Sequence, residues 1–282
     1  MAKSMVSGKP LSLMLQFATP LLLGNLLQQT YNIIDAAIVG QILGDKALAG
    51  VGASSSIQFL VMGCCTGFGV PVAKYFGANN LHKMRKYIFN GAVLTGIIAL
   101  IVTIVCSVCC NQILHLLSVP QDIYDKAYAY LIVIFLGIPF TLMYNYLSSV
   151  LRSLGDSRTP FMFLAFSAIL NIFLDLFCIV VLKWDCAGAA IATIMAQAVS
   201  GILCLVYIFK KVQIMHLEAK DREIEGSAVK ELLVMGIPTG LQFSITAIGS
   251  MVMQSANNKL GSVYVSGFTA GMRIKQFTMC PF

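Results

Sequence analysis

Of the twelve acidic residues in this 282-residue sequence, Asp35 and Asp175 alone fall well inside long apolar runs. A lone carboxylate in hydrocarbon costs about 2.5 to 3.5 kcal/mol on insertion scales, so each is expected to face a protein interior or a wet cavity. Gln28 and Asn32 share a helix face with Asp35, Asn171 lies one turn before Asp175, and Thr193 pairs with Gln197 on the next run. Two carboxylates in a dry space, flanked by amide and hydroxyl oxygens, repel each other and suit either a proton or a sodium ion. The plainer alternative is a buried polar network that only locks helices together.

The elements that must position these groups are membrane helices. The sequence is 58% hydrophobic and 11% charged, with mean hydropathy +0.83, against roughly 25% charged residues in a soluble domain. The fold class is all-α: a polytopic membrane helical bundle. Net charge is +7, but the basic residues sit in short loops and form no patch, which excludes nucleic acid as a partner and leaves the lipid bilayer. Nine cysteines lie mostly within apolar runs as small hydrophobes. Cys106, Cys109 and Cys110 have metal-like spacing but no acidic or histidine neighbours, so neither a metal centre nor a cofactor is expected. The first apolar run outlasts the roughly 7 to 15 residues of a signal-peptide core and reads as a membrane helix.

Stretches free of charge give seven spans: Leu11 to Ile42 (broken by Asp35), Ala47 to Ala73, Tyr87 to Leu117, Ala127 to Leu151, Thr159 to Leu182, Cys186 to Phe209 and Leu232 to Asn258. An eighth segment opens near Val263 and carries Arg273 and Lys275 before the sequence stops at Phe282, an ending that reads as a truncation. Thirteen basic residues in alternate loops, from Lys3 to Lys230, against Lys46, Lys126, Lys183 and Lys259 in the others, predict a cytoplasmic N-terminus. The connection from Lys210 to Glu231 reads as a solvated cytoplasmic linker, with room for a short interfacial helix. Beyond it the chain repeats its opening: Pro238 in MGIPTGLQ matches Pro20 in FATPLLLG, and Gly261 with Gly267 matches Gly44 with Gly50. A repeat of six helices follows, an organisation common in secondary transporters.

In this orientation Asp35 and Asp175 each lie seven residues before the outer end of a span and Thr193 seven after the start of one, so all three sit ~10 Å below the outer surface. Tyr130 enters the fourth span at a similar level, and Asn145 and Ser148 lie deeper. Pro20 and Pro139 are expected to bend the first and fourth spans. Gly155 is placed to end the fourth, Thr159 to cap the fifth, and Gly188 to Ala192 to bring the sixth close to a neighbour.

The runs LRSLGDSRTP (Leu151 to Pro160), NIFLD (Asn171 to Asp175), GAAIAT (Gly188 to Thr193) and PLLLGNLLQQTYNIIDAAIVGQILG (Pro20 to Gly44) resemble the multidrug and toxic compound extrusion, or MATE, transporters. The resemblance covers the whole chain. It implies twelve helices in two six-helix lobes that exchange H+ or Na+ for a small organic substrate, cationic or amphipathic, by alternating access in a bacterial plasma membrane. Residues 1–209 would form the first lobe, 210–231 the linker and 232–282 an incomplete second lobe, leaving a missing segment or a second chain to complete the transporter. Carried over, the cation-coupling set is Asp35, Asn171, Asp175 and Thr193, the substrate cavity is lined by Gln28, Tyr130 and Asn145, and Pro20 is the hinge. The resemblance implies a non-enzyme. The seventh span lacks the acid that some branches carry there, which places coupling in the first lobe.

Three other readings compete. A lipid-linked sugar flippase of the same superfamily should carry several cations in its cavity, and the first-lobe spans hold none. An intramembrane aspartyl protease should carry Gly-x-Gly-Asp, whereas Asp175 follows Ile172, Phe173 and Leu174. An inactive truncated fragment is the third.

Overall fold

The computed structural model describes residues 10–43, 68–116, 119, 121–215, 217 and 219–279. Most of the second expected span, with Gly44 and Gly50, lies outside the described residues. The described helices are α1 (Pro10–Leu43), α2 (Gly69–Gly77), α3 (Leu81–Val108), α4 (Cys110–Leu116), α5 (Tyr124–Leu136), α6 (Ile138–Ser153), α7 (Arg158–Leu176), α8 (Asp185–Lys211), α9 (Gly226–Asn258) and α10 (Ser262–Met279). No strand occurs among the described residues.

By length and composition α1, α3, α7 and α8 can each cross a bilayer, and α5 with α6 can cross as one span bent by 50°. That bend falls where Gly137 and Pro139 interrupt the fourth expected span, because Pro139 has no N–H to donate and its ring crowds the preceding turn. Gly137 is required there for a second reason: a Cβ on it would lie 2.2 Å from Ile194 Cγ1 of α8.

The helices are amphipathic in the sense that suits lipid. Met162, Phe166, Ile169 and Phe173 of α7, with Phe177 just after it, form one exposed apolar stripe. Leu164, Ser167, Ala168, Asn171 and Asp175 form the opposite, buried one. Phe173 is 68% exposed and Asp175 0%, so the polar face turns inward and the aromatic face outward, as a bilayer demands. The centre of the bundle is α8, which packs against α5, α6, α7 and α1. Its buried Ala189, Ala190, Ala192 and Ala196 present little bulk, which lets neighbouring backbones approach. A Cβ at Gly188 would lie 3.2 Å from that of Cys178, in agreement with the expected close approach.

The turn between α6 and α7 holds one expectation and corrects another. Gly155 adopts φ +80°, and the bonds Gly155 N to Arg152 O (2.9 Å) and Asp156 N to Leu151 O (3.0 Å) close a Schellman motif. The cap of α7 is Asp156 rather than Thr159. Its Oδ1 accepts from Thr159 N at 3.0 Å and its Oδ2 from Thr159 Oγ1 at 2.7 Å. A carboxylate, with two acceptor oxygens, satisfies both groups at once where a hydroxyl could satisfy one.

The connection after α8 also departs from expectation. It forms two short 3-10 turns, Gln213–Met215 and Ala219–Asp221, and α9 begins at Gly226, inside the expected linker. It is clasped to α2 and α3. Asn90, 1% exposed, donates to Glu223 O at 3.0 Å and accepts from Glu225 N at 3.1 Å. Asp221, 0% exposed, meets His82 at 2.7 Å and Arg85 at 3.5 Å, while Lys86 pairs with Glu225 at 2.5 Å. At the start of α9, Glu231 accepts from Lys74 (2.9 Å), Tyr75 (3.1 Å) and Tyr87. The bond from Tyr87 and the Lys74 ammonium hold the Glu231 carboxyl below its usual range. Charges that look solvated in the sequence are thus paired between distant segments.

Pro20 and Pro238 each lie inside a helix of more than thirty residues, α1 with 34 and α9 with 33, which agrees with the internal repeat. Pro20 is buried and Pro238 exposed.

Candidate functional site

The candidate coupling residues converge where α1, α7 and α8 meet. Asp35 of α1 and Asp175 of α7 bring their carboxyl groups close enough to act on each other. Both are buried. No hydrogen-bond donor among the described residues reaches either oxygen of Asp175. Two carboxylates in contact cannot donate to each other while both are ionised, and burial removes the water that would separate their charges. The arrangement is satisfied when one proton is shared or a small cation bridges the oxygens.

One turn earlier, Asn171 Nδ2 donates to Thr193 Oγ1 at 3.5 Å, joining α7 to α8. Its Oδ1 is buried without a donor among the described residues. Tyr31, Ser167, Asn171, Thr193 and Gln197 line a narrow cavity. Every heteroatom that Asp35, Asp175 and Thr193 offer is oxygen, as is the acceptor of Asn171, a set that fits a proton or a hard cation and not a soft metal. The side chain of Asn32 lies outside the described residues.

A second, more open cavity lies between α1, α6 and α7, and it brings Gln28 and Asn145 together with Pro20, Tyr144, Ser148 and Arg152. Asn145 is oriented by its own bond to Thr141 O at 2.8 Å. Tyr130 lines neither cavity. It is buried in a small apolar cluster with Ile179, Cys186, Ala189 and Ala190, because it enters on the face of α5 that meets α8.

Arg152 is the residue that sequence reasoning misplaced. Counted there as a loop charge, it lines the second cavity and corrects the expectation of a cavity without cations. The signal was present: Asn145, Ser148 and Arg152 fall at i, i+3 and i+7 on one face of α6. A second unforeseen feature is the π turn Phe177–Val181 that directly follows α7, two residues after Asp175; π turns inside helices recur at functional positions.

Known proteins share both sequence and shape with this chain. It is 32% identical over 284 residues to the probable multidrug resistance protein YpnP of Bacillus subtilis (strain 168), across 99% of this chain and 63% of that protein. It is 28% identical to the probable multidrug resistance protein NorM of Thermotoga maritima, across 95% of this chain and 59% of that one. A solved structure described as the outward-facing conformation of a multidrug resistance MATE family transporter of the MOP superfamily superposes with TM-score 0.87 at 22% identity, over 99% of this chain and 63% of that one. The chain therefore spans about three fifths of the length of the relatives it matches. The MatE family model matches residues 20–177, the stretch that runs from the buried proline of α1 to the turn after Asp175, and with the kinship to YpnP this places the chain in the MatE family.

Proposed function

We propose that this chain forms the first lobe, and the beginning of the second, of a cation-coupled exporter of organic compounds. A proton or sodium ion taken up by Asp35 and Asp175, with Asn171 and Thr193 beside them, lowers the charge of the α1–α7 contact and changes how α1 lies against α7. The organic compound occupies the cavity at Gln28 and Asn145, next to the buried Pro20 of α1, which serves as the hinge. Exchange requires that the ion favour one arrangement of the helices and the compound the other. The N-terminus is cytoplasmic, the residence is a bacterial plasma membrane, residues 1–209, 210–231 and 232–282 divide as first lobe, linker and second-lobe start, and the remaining helices come from further sequence or a second chain.

The observation that carries this reading is the burial of two carboxylates, Asp35 and Asp175, with no donor among the described residues for Asp175. The relatives, named as multidrug resistance proteins, support the direction of transport. They give no support to the flippase reading. In bacterial cells deprived of their own efflux pumps, Asp175→Asn should abolish export of a fluorescent amphipathic drug while the protein reaches the membrane in normal amount. Export at the wild-type rate would overturn the assignment. Collapsing the pH gradient and the sodium gradient in turn identifies the coupling ion.

A further inference from the structure

We propose that the cavity between α1, α6 and α7 contains a receptor for an anionic group, with Arg152 as the contact, and that its ligand is an amphiphile whose head bears a carboxylate or phosphate. This rests on the reading above, that the cavity takes an organic ligand. Arg152 lies at the end of α6, where a cation favours the helix dipole, yet its half-buried side chain also lines the cavity. A guanidinium in such a place normally has a carboxylate partner. Arg152 has none among the described residues: the groups that act on it are Tyr144 and Cys204. The nearest acid in sequence, Asp156, is already engaged by Thr159 and by Tyr207 at 3.5 Å. None of the cavity's lining residues is acidic.

The rest of the wall defines the remainder of the ligand. Gln28 and Asn145 add amide donors to the wall, and Phe161 and Leu164 add apolar surface. A planar guanidinium binds carboxylate or phosphate through two parallel N–H bonds, while the apolar wall receives a chain or ring. A ligand that is only cationic meets repulsion here. The anionic head can belong to an exported solute or to a membrane phospholipid, and the two sources are separable.

The test uses the purified chain in nanodiscs of neutral phosphatidylcholine, with dansyl-labelled undecanoate and its methyl ester as probes. A charge-assisted bond present for one probe alone predicts that the wild type binds the acid about tenfold more tightly than the ester. Arg152→Gln should bind both equally, and Arg152→Lys, which keeps the charge without the fork, should retain part of the preference. Phosphatidylglycerol that displaces the acid from the wild type, and copurifies with it but not with Arg152→Gln, identifies a lipid head as the occupant; the acid preference without that lipid dependence identifies a solute. Equal affinity of the wild type for acid and ester, or a preference that survives Arg152→Gln, overturns the anion receptor and leaves the export reading standing. Binding of neither probe overturns both the receptor and the assignment of this cavity to a ligand.

Discussion

Replacing Asn90 with alanine should loosen the clasp between α3 and the connection after α8 without disturbing the bundle. The side chain gives the connection after α8 two bonds, Nδ2 to Glu223 O at 3.0 Å and Glu225 N to Oδ1 at 3.1 Å. Each net bond contributes about 0.5 to 1.5 kcal/mol. Glu223 and Glu225 are exposed, so water can replace part of what Asn90 supplies, and the combined loss is about 1 to 2 kcal/mol. That corresponds to a roughly 5- to 30-fold rise in the population with the connection detached. Two readouts follow it. Amide hydrogen exchange over residues 222–226 should accelerate by that factor, and trypsin should cut more readily after Arg222, which is exposed between Asp221 and Glu223. Exchange in α7 and α8 should be unchanged, because neither helix touches Asn90 through these bonds. A rise of less than about twofold at residues 222–226 would show that the salt bridges alone hold the connection and that the buried amide is incidental.

Acidification should release the neighbouring contact in a defined window. Glu231 has a folded pKa below the unfolded value of about 4.3, so its contribution is complete above that value and lost as pH falls through the folded one. Protection of α2 against hydrogen exchange should therefore hold from pH 7 to about pH 5 and drop below about pH 4, and Glu231→Gln should lack that drop. Gly137→Ala should lower the unfolding temperature of the detergent-solubilised chain through an overpacking cost of about 1 to 3 kcal/mol, since its Cβ would lie 2.2 Å from Ile194 Cγ1. Adding Ile194→Ala should recover part of the loss; a single variant as stable as the wild type would refute the contact.

Much of the bundle is legible because lipid punishes charge: uncharged runs locate α1, α3, α7, α8 and α9, and the two acids that break the rule are the two that meet. Asn171 and Thr193 are legible for the same reason, as polar groups at matched depth on consecutive spans. Pro139 announces the break between α5 and α6, although its 50° angle depends on Gly137 fitting against α8. What sequence conceals is any partnership between distant segments in water. Asp221 and Glu231 look like ordinary solvated acids until α2 and α3 are placed beside them. Arg152 looks like one more positive charge at a helix end because nothing local reveals that α1 and α7 enclose it. Tyr130 has the right depth, but depth does not decide which neighbour its ring meets, and the ring packs on α8. The π turn after Asp175 is set by how the end of α7 packs on α8, and leaves no mark in residue type.

The clasp also has a timetable. Lys74 and Tyr87 wait 157 and 144 residues for Glu231, and Asn90 waits 135 for Glu225. At ~5 to 20 residues per second of synthesis, that interval lasts about 7 to 30 s. Throughout it, the bent pair and both helices of the acid–amide site must be threaded while Lys74 lacks its carboxylate and Tyr87 and Asn90 have only their local partners, Tyr75 and Lys86 O. When α9 finally emerges, its Glu231 closes over groups already in place, so the order of manufacture is recorded in a few bonds.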